Sequence, residues 1–295
     1  MNNKERGFLL LTSMLGNPER RPLTVAQFRT LASRAAQMSR PVDSRELTGE
    51  DLLGLGYDRS MAMRIVALLS EIELLERYLY KGTRQDCVPI SRVSGEYPLA
   101  VRKRLGLDAP GCLWAKGNTA LLNTQRVSLV GSRDLREDNR KFAALAGREV
   151  ARQGLTLVSG NARGADRTAQ EACLDAGGRV ISIVADELQK YPLTQNVLYL
   201  SEDCFDLPFS ATRALSRNRV IHTLGYVTLV AQSDLGIGGT WDGTVKNLQK
   251  NWSPVFCFDD GSPASIELEQ LGATLIGIEQ LQDLPMVQPN IVSLL

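Results

Sequence analysis

The sequence predicts an α/β fold, a doubly wound and mainly parallel sheet preceded by a small helical domain. Three observations predict it. Up to residue 82 the apolar residues recur at spacings of three and four, the period of a helix. From residue 125 short apolar runs alternate with amphipathic stretches, the pattern of strands joined by crossover helices. Several of those runs end on glycine-rich turns, as strands do where the chain leaves a sheet. The organisation read from this is a helical domain over residues 1–82, a connector over 83–124, the sheet core over 125–280 and a tail over 281–295.

Each element has a local reason. Phe8, Leu11 and Leu15, then Val25, Phe28, Leu31, Ala32 and Ala35, mark two helices, with Thr24 the cap of the second. Thr48 opens another helix, which ends near Gly54. The stripe Met61, Ile65, Leu68, Leu69, Ile72 and Leu75 follows. A short helix, a glycine turn and a second helix is the layout of a helix-hairpin-helix unit, which can present backbone N–H groups to a phosphate. Few Lys or Arg stand at that turn, so a bundle used for packing is the preferred reading. Residues 83–124 carry Pro89, Gly95, Pro98, Pro110, Gly111 and Gly117, as a connector with short strands would. Strands are expected at residues 126–131, 155–160, 179–184, 226–231 and 255–258, and helices at 137–153, 165–176 and 212–224. In the first of these helices Phe142, Leu145, Ala146 and Val150 form the apolar side, and Glu137 and Asp138 suit the positive end of the helix dipole.

Composition narrows the function. The chain of 295 residues is 43% hydrophobic and 23% charged, which excludes wholesale disorder and a disulfide-stapled scaffold. The net charge of +1 hides an asymmetry: residues 251–295 hold six acids and no Lys or Arg, leaving +7 on residues 1–250. That fits either a polyanion site on one part of the molecule or a chance asymmetry. His222 is the single histidine, so a His-rich metal site is excluded and any Ser-His-Asp scheme must run through it. The five cysteines form no Cys-x-x-Cys pair and read as buried reduced thiols of a cytoplasmic protein. No run approaches the length of about 18 apolar residues that a membrane span needs, and the first apolar run is too short for a signal peptide. The dinucleotide fingerprint and the Walker lysine loop are both missing, so no cofactor is expected.

Three strand-end segments can carry chemistry, because open parallel sheets bind ligands at the carboxyl ends of their strands. Gly131-Ser132-Arg133 offers close backbone approach, a hydroxyl and a planar guanidinium. Ser159-Gly160-Asn161-Ala162-Arg163-Gly164-Ala165-Asp166 sets an Arg and a helix start at one strand end. Gly236 to Thr244, with Gly238, Gly239 and Thr240, is read as a third phosphate-cradling loop, with Trp241 offering a face for stacking. In the helix 212–224, Arg213 and Arg217 fall inside the apolar arc of Ala214, Val220, Ile221 and Leu224, while Arg219 points roughly opposite. A desolvated Arg needs an acceptor. Either a bound anion or a buried carboxylate supplies it, with Asp166 and Glu202 the internal candidates.

Taken in order, Val130-Gly-Ser-Arg133, Ser159-Gly160, Ala162-Arg163-Gly164, Asp166, Gly177-Gly178, Tyr191-Pro192, Ser201-Glu202 and Arg217-Asn218-Arg219 resemble the DprA/Smf family, DNA-processing protein A. Tyr97-Pro98 and Trp114-Ala-Lys-Gly117 match its lead-in. The resemblance implies a Rossmann-like, non-enzymatic core. It would bind single-stranded DNA, form a homodimer and help to load a RecA-type recombinase in natural transformation. By position it implies a phosphate-binding face from Arg133, Ser159, Gly160, Arg163, Gly164, Asp166, Arg217, Asn218 and Arg219. The sequence departs from the family pattern at Gln170, where a His is usual, and at Ala214-Leu215-Ser216, where Phe-Pro is usual. It departs again at Ile221 to Gly225 and at Gly238-Gly239-Thr240. Two other readings stay open: a nucleotide-sensing domain of defence or stress signalling, and a nucleotide N-glycosidase with Asp242 as acid/base.

Overall fold

A computed structural model describes residues 1–38, 46–202 and 204–284 of the chain. Five helices come first: α1 (Asn3–Thr12), α2 (Val25–Ala35), α3 (Gly49–Gly54), α4 (Arg59–Ser70) and α5 (Ile72–Thr83). The first three start on capping boxes, Asn2 with Glu5, Thr24 with Gln27 and Thr48 with Asp51. Each box satisfies two helix-end N–H groups with side chains the sequence already places three residues apart. The stripe expected to run unbroken from Met61 to Leu75 is interrupted at Glu71, where α4 ends and α5 begins. Ile65, Leu68, Leu69 and Leu75 are buried, whereas Ile72 at the break is exposed. The turn at Gly54–Tyr57 is closed on itself. Arg34 donates to the carbonyls of Leu55 and Gly56, both at 3.2 Å, and lies 4.5 Å from the Tyr57 ring centre. Asp58 caps the start of α4 through the Met61 N–H, so a carboxylate already occupies the place a phosphate would take.

The strands are β1 (Val88–Ser91), β2 (Cys112–Gly117), β3 (Arg126–Val130), β4 (Thr156–Ser159), β5 (Arg179–Ile183), β6 (Val197–Glu202), β7 (Val227–Val230), β8 (Val255–Phe258) and β9 (Thr274–Ile276). They form one sheet in the order β1-β2-β6-β5-β4-β3-β7-β8-β9, antiparallel at β1-β2 and β2-β6 and parallel elsewhere. All five expected strands are present. The sheet also reaches back into residues 83–124, which supply β1 and β2. The sequence reading gave no strand at β6, because a short turn at Leu188–Lys190 rather than a crossover helix separates it from β5.

The remaining helices are α6 (Leu99–Leu105), α7 (Glu137–Arg152), α8 (Ala165–Asp175), α9 (Ala211–Leu224), α10 (Gly238–Lys250) and α11 (Pro263–Gln270). On one face Phe142, Ala146 and Val150 of α7 and Ala169 and Cys173 of α8 pack on Val127, Leu129 and Leu157. On the other, Val220, Ile221 and Leu224 of α9 pack on Val130, Val158 and Ile181. The amino-terminal helices share a core with the sheet: Leu75 and Tyr78 join Trp114, Val184 and Phe205 in one cluster. Leu281 and Leu284 are buried beside α7 residues, so residues read as the start of a tail complete the core, and residues 285–295 lie outside the described chain.

The segment read as a third glycine loop is a helix. Gly238, Gly239 and Thr240 form the first turn of α10. The overlooked signal is the spacing of Trp241, Val245 and Leu248, which puts all three against the sheet core. Trp241 is thus partly buried in the packing of α10 against the sheet.

Candidate functional site

β3 lies between β4 and β7, and the connections that leave β3 and β7 run to α7 and α10 on opposite faces. A crevice opens at the carboxyl ends of such strands. Two adjoining hollows occupy it. Arg133, Ala162, Ala214 and Arg217 line both.

The first hollow, about 350 Å³, gathers Arg133, Arg163, Arg167 and Arg217 around the β4 end, with Asp186 its only acid. Arg217 is the buried member, 7% exposed. Its guanidinium lies over Gly160, where any Cβ would overlap it, so only glycine fits beneath. Asp166 stands 4.0 Å from Arg217 and accepts the Ala162 N–H at 3.1 Å. Burial pushes the Asp166 carboxyl up, opposed first by the neighbouring Arg217 charge. Burial likewise pulls the Arg217 guanidinium down, opposed first by Asp166 and then by Glu202. At 4.0 Å the pair is a charge contact without a hydrogen bond, and the buried Arg217 Nε has no hydrogen-bond partner. A buried guanidinium with an unsatisfied donor favours an anionic partner.

The second loop closes against the first. Gly164 has φ +87°, and a Cβ on it would overlap the carbonyls of Ser132 and Arg133. The Ala165 N–H donates to the Ser132 carbonyl at 3.2 Å. Gly131 is packed against Ala165. Arg163 reaches back to Asp134 at 2.6 Å, with both side chains largely exposed, so this pair contributes little to stability and leaves Arg163 free to exchange partners. Arg133 is exposed at the mouth. Ser159 is fully buried and accepts a bond from Gln170 Nε2 at 3.3 Å. It supports the loop from below and does not face the hollow.

The second hollow, about 430 Å³, has a different character. Asp134, Asp166 and Asp234 outnumber its two guanidinium groups, and Leu215 and Ile237 are apolar parts of its wall. Gly238, Gly239 and Thr240 line this half rather than the arginine-rich one. Asn218 ties α9 to α10 by donating to the Gly239 carbonyl at 3.0 Å. His222 is fully buried on this side, and burial pushes its pKa down to about 3, so the ring is neutral. Its Nδ1 meets Asn247 at 3.2 Å. Its Nε2 is buried without a hydrogen-bond partner among the described residues, so no Ser-His-Asp triad forms there.

Of the expected arginines, Arg219 is the one that the fold does not bring to the crevice, and Ser159 and Gly164 likewise line neither hollow. Arg219 donates to Glu202 at 2.9 Å and to the Asp108 carbonyl at 3.0 Å, on the flank between α9 and α6. Glu202 therefore pairs with Arg219. Arg213 is held by the carbonyls of Ala185, Leu207 and Pro208 and by Ser201. Asp242 lines a groove on the α9–α10 flank and neither hollow. Sequence reasoning missed Arg167, although a cation in the first turn of a helix, against the dipole, was a readable signal. It also missed Phe209, which is 58% exposed beside the four arginines.

Residues 89–276, which hold both hollows, match the family described as DNA recombination-mediator protein A. The chain belongs to that family. It is 28% identical over 234 residues to the DNA processing protein DprA of Bacillus subtilis, covering 72% of this chain and 77% of that one. It is 30% identical over 142 residues to protein Smf of Escherichia coli, covering 44% and 38%. The solved DprA of Streptococcus pneumoniae superposes with a TM-score of 0.69 at 22% identity, over 94% of this chain and 95% of that one, and so shares the fold. The DprA of Helicobacter pylori, whose structure concerns its single-stranded DNA binding mode, superposes at 0.55 with 26% identity, over 66% and 92%. At the family's usual His position, Gln170 bridges Ser159 and Ser182 beneath the sheet, so that departure alters support and leaves the arginines in place. No described helix is long and apolar enough to cross a membrane.

Proposed function

We propose that this chain binds single-stranded DNA through the arginine-lined hollow and assists a RecA-type recombinase, acting as a homodimer and without catalysing a reaction. The observation that carries the reading is the buried Arg217 guanidinium over Gly160, with an unpartnered Nε and three further arginines around the same cavity. Four guanidinium groups suit successive phosphates, and phosphate contacts carry little sequence information. The single-stranded DNA binding of the Helicobacter pylori relative supports the same reading, and the family's description as a recombination mediator supports the recombinase partner.

The second reading is a nucleotide sensor, favoured by a cavity pair that a single nucleotide would also fill. Salt titration separates the two. A strand touching several phosphates loses affinity steeply with salt, whereas one small ligand loses little. Fluorescence anisotropy with matched single-stranded and duplex oligonucleotides is the test. Tighter single-strand binding with a steep salt slope is expected, and equal or tighter duplex binding overturns the proposal.

A further inference from the structure

A third cavity, about 600 Å³, lies outside the crevice on the flank between α9 and α10. It is larger than either crevice hollow and falls in the range of about 300–1,000 Å³ that small-ligand sites occupy. Lys246 and Lys250 stand one turn apart on α10 and line this groove. Both are exposed, and neither has an ion-pair partner among the described residues. Like charges at that spacing repel, and an anion between them relieves the cost. Trp252, just after α10, lines the same groove, and its indole is held in place by packing against the core. The carboxylates of Asp108 and Asp242 are exposed in the groove and are also unpaired among the described residues. Arg219 adds no free charge, since Glu202 holds it at 2.9 Å.

Such a groove suits a ligand with an anionic end, a flat ring and hydrogen-bond donors. We infer that it binds a nucleoside diphosphate or triphosphate as a separate small ligand. The phosphates lie between Lys246 and Lys250, the ring stacks on Trp252, and Asp108 and Asp242 accept from donors of the sugar or the ring. An acidic peptide would meet the two lysines and set its carboxylates against those of Asp108 and Asp242. A DNA strand is excluded by its route. The arginine-rich hollow and this groove share no residue, and the hollow between them carries Asp134, Asp166 and Asp234, which repel a phosphate backbone. Leu215, Asn218 and Gly239 line both that middle hollow and the groove, so the ligand rests against the crevice wall without entering the crevice.

Calorimetric titration of the full chain with ADP, adenosine and pyrophosphate tests the site. ADP should bind once per chain and about tenfold or more tightly than either half alone, since each half lacks the contacts of the other. Lys246→Ala/Lys250→Ala replaces two exposed side chains and is expected to melt with the parent chain. It should weaken ADP about tenfold or more. At physiological salt, where charges outside the contact are screened, it should change oligothymidylate affinity by no more than about threefold. Arg133→Ala should do the reverse, weakening the oligothymidylate and leaving ADP unchanged. ADP should also quench indole fluorescence, and Trp252→Phe should remove the quenching while keeping ADP affinity within about fivefold, because a phenyl ring still stacks. A parent that does not bind ADP, or a lysine variant that binds it equally well, overturns the proposal. So does loss of ADP in Arg133→Ala, which puts the nucleotide in the crevice, or equal loss of ADP and oligothymidylate in the lysine variant, which makes the groove part of the strand's path. A parent that binds ADP and no strand overturns the single-strand reading and leaves the groove site standing.

Discussion

Replacing Gly160 with Ala adds one methyl group under the Arg217 guanidinium. The backbone at Gly160 is not in the left-handed region, so alanine is allowed there. By itself such a change stabilises by about 0.4–1 kcal/mol, through the unfolded chain. The added Cβ, however, would overlap the guanidinium carbon and both terminal nitrogens, which no real contact permits. Arg217 must therefore leave its place 4.0 Å from Asp166. Breaking a buried ion pair costs about 3–5 kcal/mol. Asp166 keeps its bond from Ala162, and the pair is at the limit of charge contact, so a net loss of about 2–3 kcal/mol is expected. That lowers the melting temperature by about 4–10 °C. Single-strand affinity should fall about tenfold or more with the charged contact. The slope of log affinity against log salt should flatten by about 0.7. The decisive measurement is a cycle with Arg217→Ala, by calorimetry and anisotropy. In that background the methyl group meets no guanidinium, so Gly160→Ala should cost nothing further. Wild-type affinity in Gly160→Ala, or the same cost with and without Arg217, would refute the placement of Arg217 over Gly160 as the phosphate subsite.

Arg133→Ala should weaken single-strand binding and flatten the salt slope by about 0.7 while shifting stability by no more than about 0.5 kcal/mol, since the side chain is exposed; a variant that melts early would show Arg133 to be structural. The buried His222 stays neutral to about pH 3, whereas the unfolded ring protonates near pH 6.5, so stability is fully present above pH 6.5 and lost as pH falls through that window. Denaturant titration should show a loss of about 2 kcal/mol from pH 7 to pH 5, and the same loss in His222→Gln, in a chain with no other histidine, would contradict it. The purified chain should not cleave nucleoside monophosphates; turnover that disappears in Asp242→Asn would restore the glycosidase reading.

Local sequence determined the parts of this protein whose causes are local. Capping residues three positions apart start α1, α2 and α3, and apolar runs of the right period give β3, β4, β5, β7 and β8. The glycine-arginine loops at the β3 and β4 ends were legible because each sets an arginine beside glycine at a strand end, whereas glycine without arginine misled at Gly238 and Gly239, which start α10. Tertiary structure alone decided which arginine meets which acid. Arg217 and Arg219 are two residues apart on one helix, which points them about 200° apart around its axis. Asp166 and Glu202, far away in sequence, stand on the two sides that these arginines face. Nor could the sequence divide the crevice. Asp134 and Asp234 follow different strands, and they reach one hollow only because β3 and β7 are neighbours in the sheet. Periodicity reports one element at a time, whereas the charge of a cavity is a sum over the ends of several, and strand order sets which ends are added together.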